Sequence, residues 1–483
     1  MTMKYNIQTL GCQMNVADSQ RLASALEQLG YRAADEANPD GADIHVINTC
    51  VVRQQAEDKA WGRLQQLKKL KEKNPKMVIS LMGCLVGVQD PLRLRKQVPF
   101  VDVFIPPSET EPLIAFLQDR TVEADAITAQ VAKRAKLNQI MDEMQPHEDN
   151  EIVLPVHEQG SLVSAHIPVV YGCSHACTFC IIPFRRGIER SRPVGEIVRE
   201  VRSLARQGVK EITLLGQIVD RYGKDIPDGP NLAQLLRVIH QVAEEEDLYR
   251  IRFLTSHPNW MTDELLETVA ELPRLMPHIE VPIQAGDDEV LQNMKRGYTA
   301  QQYRDLIHKI RRMIPEVAIH TDIIVGFPGE TDAQFQQTYD VLAELKLDKA
   351  HLAMYSPRPG TVSDRRMVDD VPKTEKKRRH TTLENLQEQV MAEVNTRFLG
   401  QKVEVLVEEK VKGKWRGRIP QNKLVFFEDD SRDWRGQLAQ VEVIWTGPYS
   451  MQARLPGQDV QPIQSDVIPA SEFAGEVIPL TSF

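Results

Sequence analysis

Short runs of β-forming residues alternate with stretches of helical period along most of the chain. Near the start, YNIQTL, DIHVINT, KMVISLM and VDVFI read as strands. Between them lie VADSQRLASALEQLG, which stops at Gly30, a charged helix from about Arg53, and a short helix after the third strand. This alternation predicts a doubly wound parallel-sheet α/β domain over residues 1–118. From His166 the pattern resumes with HIPVVY, KEITLL, RIRFL, HIEVPI, VAIHTDIIVGF and AHLAMY, separated by helical segments such as VGEIVREVRSLARQG. Six βα units predict a partial (βα)6 barrel, assigned to residues 158–397 and ending in a charged helix at about 373–397. The period then shortens to KVEVLVEE, KWRGRI, KLVFFE, QLAQVEVIWTG and SMQARL, which predict a small OB-like antiparallel β-barrel over 398–458. Residues 119–157 are charged and lack a strand pattern, as expected of a linker, and 459–483, with Pro469 and Pro479, show no period and are expected to be a poorly ordered tail.

A length of 483 residues agrees with about three domains. With 42% hydrophobic and 26% charged residues the composition is that of an ordinary globular protein, which excludes fibrous and disordered classes. No apolar run reaches the roughly 18 residues that span a bilayer, and MTMKYNIQTLGC lacks the apolar core of a signal peptide. No membrane association and a cytoplasmic location are therefore expected. The net charge of −9 excludes a uniformly basic nucleic-acid-binding surface, yet basic residues concentrate in 53–76, 365–380 and 398–425. Solvated helix faces would explain each segment equally. In the small barrel, Lys410, Lys412, Lys414, Trp415, Arg416, Arg418, Lys423, Phe426 and Phe427 offer the charges and aromatics with which such barrels hold single strands. The alternative is that the aromatics form its core.

Six cysteines in so long a chain are too few for a disulfide scaffold and are expected to be free thiols. Cys12, Cys50 and Cys84 each follow one of the first three strands, and carboxyl ends of parallel strands open onto one edge of the sheet, where ligands bind. Three distant thiols should therefore converge. Any one could instead be a small buried hydrophobe, but all three share a topological position, beside Gly11 and Gly83, which permit close backbone approach. The other three lie in YGCSHACTFC, as Cys173, Cys177 and Cys180. A structural zinc ion takes four ligands and a thioredoxin-like centre takes two cysteines. Three thiolates suit a cubane 4Fe-4S cluster with one iron left open to a substrate or cofactor.

The CxxxCxxC spacing with Phe179 before its last cysteine, at the end of the first strand of a partial barrel, resembles the radical S-adenosylmethionine enzymes. The resemblance implies that the open iron binds S-adenosylmethionine and that an electron cleaves it to a 5'-deoxyadenosyl radical. It places Gly216 and Gln217 of LLGQ, and Gln284 of VPIQAG, on the cofactor side. LGCQMN, NTCVVR, MGC, CIIPFRRGIERSRP, TSHP, MKRGYT, TDIIVGFPGET and YSPRPGT are similar in order and spacing to the methylthiotransferases of that superfamily, from Leu10 to Thr361. GCQMN is similar to the tRNA branch that makes 2-methylthio-isopentenyladenosine beside the anticodon, and the C-terminal barrel resembles the TRAM RNA-binding module. Ile218, where an asparagine is usual, and Ala285, where a serine is common, depart from the family pattern.

The resemblance further implies that Cys12, Cys50 and Cys84 hold a second, auxiliary 4Fe-4S cluster, so that all six cysteines are metal ligands. One S-adenosylmethionine would methylate a sulfur on that cluster, and a second would supply the radical that takes hydrogen from carbon 2 of adenine. An unactivated aromatic C–H offers no acid–base route at neutral pH, which is why a cofactor must supply the initiator. Arg185, Arg186, Glu189, Arg190 and Arg192 follow the cluster loop and could meet the nucleotide or its phosphates, as could Lys414, Arg416 and Arg418 in the barrel; salt bridges at the barrel mouth are the alternative. His175 reads as a loop residue, and Asp322 as a contact either to substrate or to a basic neighbour. Expected partners are a tRNA anticodon loop, a reductant and an iron–sulfur assembly system, with the chain a monomer. Two other readings remain at this point: the same chemistry on threonylcarbamoyl-adenosine or a ribosomal-protein aspartate, and a zinc-stabilised, non-catalytic RNA-binding protein using Cys173, Cys177, Cys180 and His175.

Overall fold

In the computed structural model, which describes residues 3–118 apart from 36, 53, 89 and 90, and residues 153–457, the N-terminal strands form one parallel sheet. Its strands are β1 (Lys4–Leu10), β2 (Arg32–Ala33), β3 (Ile44–Thr49), β4 (Val78–Gly83) and β5 (Val103–Ile105), in the spatial order β2-β1-β3-β4-β5. Helix α1 (Gln13–Gln28) covers one face, where Leu22 and Leu26 pack on Ile44, Val46 and Val78; α2 (Gln54–Lys73) covers the other, where Leu64 and Leu67 pack on Ile47, Ile79 and Leu81. Strand alternation thus sends odd and even residues to opposite helices, and each fully buried Leu or Ile contributes about 1.5–3 kcal/mol. Strand order reverses between β1 and β3, the switch point where such sheets open a crevice.

The central strands are β6 (Ser164–Pro168), β7 (Val170–Tyr171), β8 (Arg190–Ser191), β9 (Glu211–Leu215), β10 (Arg250–Phe253), β11 (His278–Glu280), β12 (Ala318–Val325) and β13 (Lys349–Met354). Two parallel three-stranded sheets, β10-β9-β6 and β11-β12-β13, are joined by an Ile251–Leu275 bridge into the expected six-stranded partial barrel. HIPVVY, read as one strand, is in fact two. The ladder to β9 runs past Pro168, Val169 N donating to the Leu215 carbonyl at 2.8 Å, and the chain then turns to form the antiparallel β7–β8 pair. That pair closes the base of loop 172–189, which carries the cysteine motif.

Strands β14 (Lys402–Val411), β15 (Lys414–Arg418), β16 (Leu424–Phe427), β17 (Leu438–Thr446) and β18 (Met451–Arg454) close into the small barrel in the order β14-β15-β16-β18-β17. Trp415, Phe427 and Trp434 fill its core with Val405, Val425 and Val441, so the first two are not stacking platforms; Phe426 is half-buried. Two buried arginines fasten this barrel to the partial one. Arg250 Nη1 donates to the Arg418 carbonyl (2.7 Å) and Arg252 Nη1 to that of Pro420 (2.8 Å). The expected linker lies almost wholly, and the tail wholly, outside the described residues. No helix among the described residues is long and apolar enough to cross a membrane.

The N-terminal domain is tied to the barrel by a buried ionic group. Arg21 on α1 and Arg192 after β8 both donate to Glu200, on the helix Val194–Arg206, at 2.9 and 2.6 Å. Arg192, expected among the RNA contacts, is 8% exposed and serves as this strut, its Nη1 also reaching the Pro168 carbonyl. Burial opposes ionisation of Glu200, and Arg192 and Arg21 together hold its carboxyl below the ordinary range. Glu200→Gln leaves two arginines short of a counter-charge and should cost about 3–5 kcal/mol, seen as a lower thermal midpoint and faster proteolysis at the domain junction; an unchanged midpoint would show that the group is not a tie.

Candidate iron–sulfur and radical site

Cys12, Cys50 and Cys84 stand directly past the ends of β1, β3 and β4, where Leu10 pairs with Thr49 and Thr49 with Gly83. The ladder continues through them, Cys50 N donating to the Leu10 carbonyl and Cys84 N to that of Thr49, both at 2.9 Å. Cys12 caps α1. The thiols of Cys12 and Cys84 both hydrogen-bond with Cys50. Two glycines permit this closeness: a Cβ on Gly11 would lie 3.0 Å from that of Cys50, and one on Gly83, at φ +95°, would lie 2.7 Å from the Thr49 carbonyl. Beneath the trio Asn15 and Asn48, both wholly buried, bond to each other at 2.7 Å.

Arg186 reaches this trio from the barrel. It ends the helix Ile182–Arg186, which begins two residues after Cys180, and its Nε lies 3.2 Å from the Cys84 sulfur. Nη1 meets Ser108 at 3.2 Å and Nη2 meets Asp18 at 3.4 Å. Expected to contact RNA, Arg186 instead faces thiols and is 7% exposed. The hydrogen bond from Cys50, followed by the charge of Arg186, holds the Cys12 thiol down to about 6; Cys84 is lowered by the same two groups in the same order. Cys50, bonded to both thiols, is raised. Two of the three thiols are thus held toward the deprotonated form in which cysteine ligates iron.

The second trio lies on the barrel rim. A Cβ at Gly172, φ +65°, would fall 2.0 Å from the Ile188 carbonyl, so only glycine allows the loop to turn there. Thr178 anchors the loop through bonds to the Met294 and Asn293 backbones, and Arg296 donates to the Cys177 sulfur at 3.1 Å. Burial pushes Cys173 up to about 11 and Cys180 up to about 12, and the charge of Cys177 adds to both. Phe179 packs edge-on against Phe327 in the barrel core, at 6.5 Å. Ile218, the departure from the family pattern, packs with Cys173 and Ile182 and forms an apolar wall at the loop.

Around this loop the strand ends present Gly216 and Gln217 after β9, Thr255 after β10 and Gln284 after β11. Gly216 sits 3.0 Å, at its would-be Cβ, from the Val219 Cα. Thr255 and Gln284 both adopt positive φ, +67° and +77°, a costly geometry for non-glycine residues that clusters at functional sites. His175 is a loop residue as expected, its ring 4.6 Å from that of His257. Glu189 is buried and paired with Arg221 at 2.7 Å, and Arg221 lies over the Trp260 ring. Buried nitrogens of His175, His257 and Trp260 have no protein partner. Such atoms concentrated beside three thiols fit a metal cluster and a polar cofactor. Burial raises Asp220 to about 8, while its carboxylate accepts from the backbone N–H of His257 at 2.9 Å.

Asn15, Asn48, Asp18, Arg296, His257 and Asp220 were not singled out from the sequence. Four of the six lie inside motifs the sequence displays, LGCQMN, NTCVVR, MKRGYT and TSHP, so the motif was the signal and the role was not. In the small barrel, Lys414 pairs with Glu428 at 3.0 Å, Arg416 with Glu409, and Arg418 with Glu408 at 3.1 Å. Lys423 is buried against Asp348 at 2.9 Å.

Three family models match the chain: the radical SAM superfamily over residues 167–342, uncharacterized protein family UPF0004 over 4–106, and the TRAM domain over 396–455. The radical SAM match implies a 4Fe-4S cluster and S-adenosylmethionine. Among solved structures, a radical S-adenosylmethionine methyltransferase from Kitasatospora setae shares the fold with a TM-score of 0.53 at 15% identity, over 75% of this chain and 77% of that one. The tRNA-2-methylthio-N(6)-dimethylallyladenosine synthase of Roseiflexus sp. is 47% identical over 94% of this chain and 90% of the relative. Its counterpart in Herpetosiphon aurantiacus is 45% identical over 94% and 98%, and that of Thermotoga petrophila 38% over 92% and 96%. With such identity across all three of its folded parts, this chain belongs to the tRNA-2-methylthio-N(6)-dimethylallyladenosine synthase family of radical S-adenosylmethionine enzymes.

Proposed function

We propose that this protein inserts a methylthio group at carbon 2 of isopentenyladenosine next to the anticodon of tRNA, using S-adenosylmethionine and two 4Fe-4S clusters. The observation that carries this reading is the meeting of two thiol trios at one domain junction, linked by the helix that starts after Cys180 and ends with Arg186 on Cys84. At 1.5 Å per residue that helix is about 7.5 Å long. Bound at the two trios, the clusters would supply radical initiation on the barrel side and sulfur on the other.

The protein's own contribution is placement. Cys173, Cys177 and Cys180 would hold three positions and leave the fourth open to S-adenosylmethionine, and the neighbouring strand-end groups Gly216, Gln217 and Gln284 support a cofactor-binding role. Arg296 and Arg186 offset thiolate charge. Val52, Val88, Phe184 and Ile188 are large exposed hydrophobic side chains at the junction, with Val88 3.7 Å from the would-be Cβ of Gly187, and support docking of an apolar, flipped-out base. Exposed Arg190, over the Tyr171 ring, is available to phosphate on the same side. A reductant, an iron–sulfur assembly system and a monomeric chain in the cytoplasm complete the reading. The zinc-stabilised, non-catalytic alternative is displaced by membership in an enzyme family.

Mass spectrometry of nucleosides from cells with and without the gene tests the substrate: the methylthio nucleoside should vanish and its isopentenyl precursor accumulate, and an unchanged profile would refute the assignment. Anaerobically prepared protein should carry about eight iron and eight sulfide per chain, falling to about half when Cys12, Cys50 and Cys84 are all replaced by alanine. Cys12→Ala alone should still release 5'-deoxyadenosine from S-adenosylmethionine while methylthio product falls below one hundredth of wild type. Normal product from that variant would remove the N-terminal trio from the reaction.

A further inference from the structure

The lower half of the partial barrel is lined by polar side chains that neither thiol trio uses. In the parallel ladder β11-β12-β13, Glu280 stands opposite His320, and His351 is opposite Asp322, two residues along from His320. Side-chain alternation puts all four on one face, while Ile279, Ile319 and Ala350 point the other way into the apolar core. Glu280, His320 and His351 line a cavity of about 860 Å³ between this wall and the small barrel. One ligating atom from each of the three lies within 4.8 Å of those of the other two. Bound to a zinc-type ion at 2.0–2.1 Å, tetrahedral ligands stand about 3.3 Å apart, a spacing that small side-chain rotations supply here.

His320 is already oriented for such a role. Its Nδ1 lies 3.0 Å from Nε2 of His278, leaving its own Nε2 for the ion, and a ligating imidazole is characteristically held by a hydrogen bond at its other nitrogen. His278 is 1% exposed and its Nδ1 has no protein partner. Burial keeps both rings neutral, the ligating form, and both lie well below the ordinary histidine range. Burial and the charge of Asp322 raise the Glu280 carboxyl to about 8. Lys349, on the same wall, opposes a cation; the two carboxyls offset it, and Arg252 is occupied by Glu211 at 2.9 Å. We propose that Glu280, His320 and His351 bind one divalent transition-metal ion of the zinc type, with a fourth position open to the cavity, as a site separate from both thiol trios.

The test uses cluster-loaded protein exposed anaerobically to zinc chloride and then gel-filtered. Wild type should retain one zinc per chain, with nitrogen and oxygen neighbours at about 2.0–2.1 Å and no sulfur shell near 2.3 Å in zinc X-ray absorption. Glu280→Gln and His351→Gln should each retain less than a tenth of that zinc with iron and sulfide unchanged. Zinc should raise the thermal midpoint of wild type and of neither variant. If one variant loses iron as well, the other decides. No zinc retained by wild type, a sulfur shell, or equal retention by the variants would overturn the proposal.

Discussion

A guanidinium buried against thiols organises this molecule. Arg186 belongs to the barrel by sequence and to the N-terminal domain by contact, touching Cys84, Asp18 and Ser108 across the junction. Removing such a group from water is costly, and burial alone would lower its affinity for the proton. The negative groups of the other domain, Cys84 first and then Asp18 and Cys12, hold it charged. The guanidinium is charged whether the domains are apart or together, and it is these facing groups that make its burial tolerable. One residue thereby joins the docking of the two domains to the thiols at their junction.

The remaining architecture supports that contact at greater distance. Arg21, Arg192 and Glu200 fix α1, and with it Cys12, to the barrel flank. Arg358 bridges from the end of the last barrel strand to Val52 and Gln54, directly beyond Cys50. On the opposite side Arg250 and Arg252 hold the small barrel by its carbonyls. Arginine recurs because its planar fork can satisfy several acceptors at once while its charge is spread enough to tolerate burial.

Most of the architecture was legible from periodicity: four of the five N-terminal strands, the six barrel strands and the five of the small barrel fall on β-forming runs, while β2, only Arg32–Ala33, is too short to show a pattern. The convergence of Cys12, Cys50 and Cys84 was also legible, because parallel strands constrain where their ends go. What could not be read was the use of individual charges. CIIPFRRGIERSRP presents several cations in one run, yet Arg186 faces thiols, Arg192 a buried carboxylate and Arg190 solvent, a division set by the turns at Gly187 and β8. In the small barrel, alternation sends Trp415 inward and sets Arg416 and Arg418 beside Glu409 and Glu408 on the neighbouring strand. A linear charge count reports none of this.

The short antiparallel pair of β7 with β8 is small, yet it shapes how the enzyme handles its metal. By joining Val170 to Ser191 and Tyr171 to Arg190, it pins both feet of the cysteine loop independently of anything bound inside. The entropy of closing that loop is met by backbone hydrogen bonds and by the Thr178 anchors during folding, and is not drawn from the metal. A cluster bound there could then leave and be replaced without the base of the loop having to open.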